Sequence, residues 1–490
     1  MLNLILFTPI IAAFAVLLGA PARKTSLAAA AVNLALTLFA LVSYNQSEGG
    51  FQLPYIHPLV PAWDLKFYLA VDGLSLVMLL LTSLVTFAAI WLTQKIEKRE
   101  NLFYACLLFI AAGATGAFLS QDLFFFYAFH ELALIPTFLL IGLWGSGDRQ
   151  TAAWKITIYL AFGSFVLLVG LLDLYNAIPL DHRTLDMVEL QKIGAAHLIP
   201  ASAQGRPFIL LLAGFGILVS LFPFHSWAPT AYASAPTPAA MLHAGVLKKF
   251  GLYGLIRIAV PLLPAGAQQW AWLLLILLIG NVIYVGLVTI AQRRLDLMLG
   301  YSSVMHMGYI FLGIAALNVV GLSGAVMLMF AHGLSIAILF GITGQLRTNS
   351  PGLAFENLGG LAKTMPFLAA AFGCAAFASI GLPGFANFAS ELMVFFGAFK
   401  PAVDSALTKN YQIATVFALW GVVISAVYML RGYRAIFLGT AKNDSAAWPD
   451  STVSNRIPMT LLIAALLITG FFPGTLLNFI KPAIQSLLAH

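Results

Sequence analysis

Charge is the scarcest resource in this sequence. Asp, Glu, Lys and Arg make up 9% of its 490 residues, against about a quarter in an average soluble domain. With 61% hydrophobic residues and a mean hydropathy of +0.94, the chain could not wet a soluble surface. A cytosolic enzyme, a nucleic-acid-binding protein and a disordered chain are thereby excluded. Cysteine is nearly absent as well. Cys106 and Cys374 lie far apart in apolar runs, with no Cys-x-x-Cys spacing for zinc or an iron–sulfur cluster. They read as small buried hydrophobes. No positive charge precedes the first apolar run, and Arg23 and Lys24 follow it. A signal peptide carries its charge in front, so a retained first helix with its N-terminus outside is expected. A nucleotide-binding motif and a haem-ligand pair are also lacking, so any energy the chain uses must come from a partner or an ion gradient.

Long apolar runs are what the chain has in place of charge. Runs of about 20 apolar residues cross a bilayer as helices. The sequence divides into 14 of them: 2–20, 26–44, 71–93, 102–120, 122–145, 154–175, 207–230, 237–262, 269–291, 298–317, 320–345, 364–400, 412–436 and 457–475. Alternating from an outer N-terminus puts fifteen Lys and Arg on the inner side, from Arg23 to Lys442 and Arg456, and seven on the outer side. That bias obeys the positive-inside rule and accounts for the net charge of +7 without nucleic acid. Both termini then lie outside.

Two spans carry breaks. Pro223 and Pro229 interrupt 207–230 in FPFHSWAP, and Gly381, Pro383 and Gly384 interrupt 364–400 in GLPGFANF. Proline removes a backbone donor and glycine loosens a helix. The breaks fall on the seventh and twelfth spans, five apart, which suggests two five-helix repeats. Paired broken helices in corresponding halves point to an ion pathway.

A few ionisable residues sit inside the spans, where a charge costs about 3 kcal/mol. Glu131 lies in FHELALIP, Lys249 in HAGVLKKFG, His306 in YSSVMHMG, His332 in MFAHGLSIA and Glu391 in NFASELMVF. A snorkelling lysine is the plain alternative for Lys249, but it is about twelve residues from either end of its span. Lys248 points about 100° away from it on a helix. His225 lies at the first break and could cap freed backbone groups. His130 and His243 stand beside stronger signals and read as packing histidines. Burial favours the neutral forms of amines and carboxyls, and histidine titrates near neutrality. Such groups in one low-dielectric bundle, linked by water, make a proton path.

At these residues the chain resembles the antiporter-like membrane subunit M, or chain 4, of proton-translocating NADH:quinone oxidoreductase, respiratory complex I. The similar stretches include VDGLSLVMLLLT at 71, FHELALIPTFLLIGLWG at 129, FPFHSWAPTAYASAPT at 222, AGVLKKFGLYGLIR at 244, AHGLSIAILFGITGQL at 331 and GLPGFANFASELMVFFGAF at 381. The resemblance implies an all-α polytopic fold of about 14 helices, with two inverted repeats and broken helices 7 and 12. Residues 1–100 would hold helices 1–3, 101–262 the first repeat, 263–440 the second, and 441–490 helix 14 and a tail. It implies proton transfer by Glu131, Lys249, His306, His332 and Glu391; His225 and Lys248 are further candidates from the residues themselves. It also implies L-, N- and K-type partner chains in a bacterial inner membrane. NAD, FMN, iron–sulfur clusters and quinone would belong to partner subunits, and this chain would hold no cofactor. The helix-12 glutamate distinguishes chain M from its L and N sisters, which carry lysine there. Subunit L also continues past its fourteenth span as a long lateral helix, whereas about 15 residues follow it here.

The chain departs from that pattern in three places. Leu218 stands where the family has a helix-7 lysine that pairs with the helix-5 glutamate. Tyr232 stands where histidine is common, and Arg294-Leu295-Asp296-Leu297 replaces an Asp-Ile-Lys-Arg stretch. Lys248 is a candidate for the missing amine. Two other functions stay open on the sequence: a subunit of a multi-subunit cation/proton antiporter or membrane-bound hydrogenase, and a non-conducting structural chain.

Overall fold

A computed structural model describes residues 1–60, 64–350, 352–441 and 448–489; Lys442 lies outside the described residues. Helices dominate it. Among the described residues, eleven are long and apolar enough to cross a membrane, and three further apolar helices are shorter. The chain is an integral membrane protein.

Several of the rare acidic residues start helices. Asp72 accepts from the Ser75 backbone N–H ahead of α3 (Gly73–Trp91). Asp122 does the same for Phe124 and Phe125 ahead of α5 (Leu123–Trp144), and Asp148 for Thr151 ahead of α6 (Arg149–Ala177). A short carboxylate satisfies N–H groups that the first helical turn cannot. In front of these helices lie α1 (Leu2–Leu17) and α2 (Ala22–Ser43), and α4 (Glu100–Leu119) joins α3 to α5.

One element departs from an all-helical chain. Strands β1 (Gln52–Val60) and β2 (Leu65–Val71) form an antiparallel hairpin between α2 and α3. Pro54 and Pro58 sit in β1, which a two-stranded ribbon tolerates because one strand edge needs no donors. Lys66 anchors the hairpin, with its Nζ 2.9 Å from Asp64 and 3.5 Å from Asp186. Asp186 caps a short amphipathic helix, α7 (Met187–Ala195), which the hydropathy pattern also omits.

The 207–230 span is broken at Pro223 as expected, whereas Pro229 lies in the first turn of the following helix, where proline is tolerated. Helix α8 (Ala201–Val219) stops at Ser220, whose φ is +70°, and α9 (Trp227–Ser234) resumes after a cis Phe222–Pro223 bond. The next span is not one regular helix. It runs as α10 (Thr237–Leu242), a π-helical turn (His243–Leu247), α11 (Lys249–Gly254), a second π turn (Leu255–Ala259) and α12 (Val260–Leu262). After α13 (Pro264–Gln269), α14 (Ala271–Ile279) and α15 (Gly286–Ala291) flank a third π turn at Gly280–Val285.

Helix α16 (Leu295–Ala315) leads to α17 (Val319–Asn349), which Asn318 caps. The 364–400 span breaks into α18 (Pro366–Ile380) and α19 (Ala386–Phe399) around Gly381 and Gly384, at φ of +80° and +97°. Glycine adopts that left-handed backbone without penalty. Helices α20 (Ser405–Phe437), α21 (Val453–Phe471) and α22 (Gly474–Leu488) complete the chain. The apolar window of α17 is buried throughout, and α17 touches α3, α10, α16, α18, α19, α21 and α22. It is the axis on which the site is built.

A buried ion pair ties the bundle to the hairpin region. Arg257 Nη2 lies 2.6 Å from Asp72 Oδ1, with side chains 2% and 4% exposed. Arg257 also donates to Tyr253 and Ser75. The shared network satisfies the partners that such a desolvated pair requires.

Candidate functional site: a buried line of amine, imidazole and carboxyl groups

The first π turn sets up the centre of the site. A π turn shifts its hydrogen bonds to i→i+5, seen here as Lys248 N–H to His243 C=O, and such turns are frequent at functional sites. The carbonyl of Ala244 in this turn accepts from Lys249 Nζ at 2.7 Å. Lys249 Nζ also lies 3.1 Å from His332 Nδ1 on α17. Glycine makes the approach possible. A Cβ on Gly333, next to His332, would come within 2.7 Å of the Gly245 carbonyl oxygen.

His332 passes the line to α16. Its ring centroid is 5.5 Å from that of His306. His306 Nδ1 lies 2.8 Å from the Ser302 carbonyl, and Nε2 lies 2.8 Å from the Ser379 carbonyl. Ser379 belongs to the last turn of α18, where carbonyls lose their intrahelical partners. The helix-12 break thus supplies an acceptor to His306. Two carbonyls face the two ring nitrogens, so a neutral ring can satisfy one at a time and a cationic ring both.

Glu391 on α19 lies against Gly381 of the same break whose Ser379 carbonyl faces His306. Glu391 is 4% exposed. Its Oε2 fills the space a Cβ would occupy on Gly381. Tyr309 and Tyr428 stand within electrostatic range of the carboxyl, and Tyr428 OH lies 2.8 Å from Ser302 Oγ. Glu391 Oε1, Tyr309 OH and both polar side-chain atoms of Asn387 have no hydrogen-bond partner among the described residues. Buried polar atoms of this kind are where ordered water enters.

Glu131 lies apart from this line. It is half-buried, and it accepts from Ser164 Oγ on α6. Tyr127 faces the same carboxyl. Among the described residues no Lys or Arg lies within ion-pair distance of Glu131. Leu218 packs on Gly163, beside Ser164, and offers that pocket no charge. Lys248 turns the other way, with its Nζ 5.4 Å over the Tyr232 ring and 3.4 Å from Ser303 Oγ. The expected substitution of Lys248 for a helix-7 amine beside Glu131 is therefore not the arrangement seen.

His225 lies in the first break, stacked on Phe222 at 5.6 Å. Freed backbone groups there are satisfied by a residue the sequence did not flag. Asn281 accepts from Phe222 N–H at 2.6 Å and donates to the Ser220 and Val304 carbonyls at 3.2 and 2.9 Å. Broken backbone at membrane depth survives when a neighbour supplies such partners. An asparagine inside the 269–291 run was the available signal. Tyr309, Tyr428 and the small hydroxyls Ser302 and Ser303 were likewise invisible, since tyrosine and serine are ordinary in such helices.

The Asp296 departure also acquires a structure. Asp296 is buried and holds Arg294 at 2.8 Å and Arg347 at 3.2 Å. Arg347 donates in turn to the Ala233 and Ala235 carbonyls at the end of α9. The segment clamps three helices at one end of the bundle.

These features match a known group. A family model described as NADH:quinone oxidoreductase/Mrp antiporter, transmembrane, matches residues 120–418. NAD(P)H-quinone oxidoreductase chain 4 of Gloeobacter violaceus is 34% identical over 99% of this chain and 92% of its own length. A Trichodesmium erythraeum chain 4 is 36% identical over 90% of this chain and 77% of its own. A chain of respiratory complex I from Thermus thermophilus superposes with a TM-score of 0.90 at 27% identity, with full coverage of both. A chain of the Mrp complex of a Dietzia species has a TM-score of 0.86 at 22% identity, over 99% of this chain and 97% of its own, and shares the fold. On these grounds the chain belongs to the family of antiporter-like membrane subunits typified by NAD(P)H-quinone oxidoreductase chain 4.

Proposed function

We propose that this chain carries protons across the membrane as the chain-4 subunit of a redox-driven NADH:quinone oxidoreductase. One observation carries the reading. An amine, two imidazoles and a carboxyl, from Lys249 through His332 and His306 to Glu391, form a buried line through the centre of the bundle. Each group can exist with or without its proton, and each hands on to a neighbour of the same kind. Glu131 is the intake group on the other side of Lys249, and His225 and Lys248 flank the path. The two halves, 101–262 and 263–440, act as inverted repeats around it, between helices 1–3 in 1–100 and helix 14 with its tail in 441–490.

The chain itself neither oxidises nor reduces anything in this reading. NAD, FMN, iron–sulfur clusters and quinone are bound by partner subunits, and L-, N- and K-type chains flank it in a bacterial inner membrane. Both termini lie on the outer side, as the Lys/Arg bias requires. Purification of the native complex tests the assignment directly. A cluster-bearing peripheral arm should co-purify with the chain, and Glu131→Gln should lower the protons moved per quinone reduced. A complex without a redox arm, or an unchanged ratio, overturns it.

A further inference from the structure

A second set of buried titratable groups lies beside the line just described. His130 precedes Glu131 on α5 but turns into the bundle. Its ring lies flat on Phe250, with centroids 4.0 Å apart and planes 6° apart. His243 opens the π turn, with its Nδ1 3.3 Å from Tyr232 OH and its ring edge-on to Trp227. The Tyr232 ring lies under Lys248 Nζ, which in turn is 3.4 Å from Ser303 Oγ on α16. His130, His243, Tyr232, Lys248 and Ser303 are all buried.

Two features separate these groups from packing side chains. Three of the four imidazole nitrogens, both of His130 and Nε2 of His243, have no hydrogen-bond partner among the described residues. Buried polar atoms are almost always paired, and a histidine kept for packing is expected to pair at least one nitrogen. The groups are also coupled in order. His130 and His243 lie within electrostatic range of each other, as do His243 and Lys248, and Lys248 and His306. The other titratable groups around them are Glu131 on α5, Lys155 on α6, His225 in the first break, Lys249 on α11 and His332 on α17.

We infer that His130, His243, Tyr232 and Lys248 form a second proton-conducting branch that joins the Glu131 side of the protein to His306 in parallel with Lys249 and His332. The inference rests on the proton-carrying reading above. A neutral imidazole accepts a proton on one nitrogen and releases the other nitrogen's proton. His130 takes its proton from the Glu131 side and hands it to His243 through bridging water. Tyr232 accepts at its oxygen while its own hydroxyl proton leaves, and bridging water carries that proton to neutral Lys248 over the ring. The ammonium then releases it along the Ser303 hydroxyl to His306. Every hop breaks one N–H or O–H bond and forms another, so no oxidant or reductant is consumed.

Two variants in the intact complex, reconstituted in liposomes, test the branch. His130→Phe keeps the stack on Phe250 and removes both nitrogens. His243→Gln keeps a hydrogen-bonding partner for Tyr232 but cannot titrate. A packing role predicts wild-type behaviour from both. The branch predicts that each lowers the initial proton-pumping rate at least twofold at unchanged assembly. Lys249→Met and Glu131→Gln are measured alongside. If those two abolish pumping while His130→Phe and His243→Gln pump normally, the branch is wrong and the main line stands. If all four pump normally, the proton-carrying function itself is wrong.

Discussion

Lys249 Nζ and His332 Nδ1 face each other at 3.1 Å across the contact between the π turn and α17. The contact has a direction. An ammonium donates to a ring nitrogen that carries a lone pair, so His332 accepts on Nδ1 while Lys249 is charged. His332 Nε2, which then carries the ring hydrogen, has no partner among the described residues and is free to pass that proton on. His332→Gln retains an acceptor for Lys249 but cannot relay. It is expected to assemble normally and to lower, without abolishing, the pumping rate read as acidification of the liposome lumen during quinone reduction, since the second branch bypasses His332. Normal acidification would remove His332 from the path.

The close passage of Gly245 and Gly333 makes that contact possible. Gly333→Ala sets a Cβ against the Gly245 carbonyl oxygen. Overpacking of this kind costs about 1–3 kcal/mol. The variant should melt several degrees lower, followed by tryptophan fluorescence in detergent. It should also pump more slowly because Lys249 moves away from His332. A variant with both properties unchanged would show that the helices separate freely there.

Gly381 holds two constraints at once, a φ of +80° and a Cβ position taken by Glu391 Oε2. A left-handed backbone costs a residue with a Cβ about 1–2 kcal/mol, and the added methyl displaces the carboxyl. Gly381→Ala should therefore cut pumping severalfold while the electron-transfer rate of the complex falls less. Equal loss of both would point to damaged assembly.

The Asp72–Arg257 pair is a structural bond. Removing one partner of a buried pair costs about 3–5 kcal/mol, because the other charge is stranded. Asp72→Asn and Arg257→Leu should each destabilise the chain by that order in denaturant titrations. The double variant should lose less than the sum of the two. Additive losses would mean the charges do not depend on each other.

The hairpin anchor depends on pH. Burial opposes charge on Asp64, but hydrogen bonds from Lys66 and Thr184 outweigh it and hold the carboxyl below its usual value. The hydrogen bond to Asp64 outweighs burial at Lys66, and with the Asp186 charge it raises the amine above its usual value. A depressed carboxyl contributes stability above its unfolded pKa and loses it as pH falls through the folded one. A raised amine contributes below its unfolded pKa and loses it as pH rises. Hydrogen exchange of β1 and β2, corrected for its intrinsic pH dependence, should show steady protection between about pH 5 and pH 9. Protection should weaken on either side. Steady protection down to about pH 2 would discount the Asp64–Lys66 pair.

Much of the site was legible because the membrane makes polarity conspicuous. Glu131, Lys249, His306, His332 and Glu391 stood out as ionisable groups in apolar runs, and Pro223 and Gly381 marked the breaks. What stayed hidden has physical reasons. A π turn changes hydrogen-bond register without changing composition, so nothing in HAGVL announces the widened turn that supplies the Ala244 carbonyl. Asn281 carries no charge, and its role depends on three backbone groups brought together by folding. The hairpin escaped notice because Pro54 and Pro58 disrupt the alternation of a strand. The direction in which Lys248 points could not be read, since helical geometry places it 100° from Lys249 only if the helix is regular.

The central claim is that protons pass through Lys249 on their way to Glu391. The most direct measurement is the number of protons moved per quinone reduced by the reconstituted complex carrying Lys249→Arg. Arginine keeps the positive charge but does not give up its proton in a protein. A relaying Lys249 predicts a reduced ratio in a fully assembled complex that still reduces quinone. A wild-type ratio would show that charge at this position suffices and that no proton passes through it.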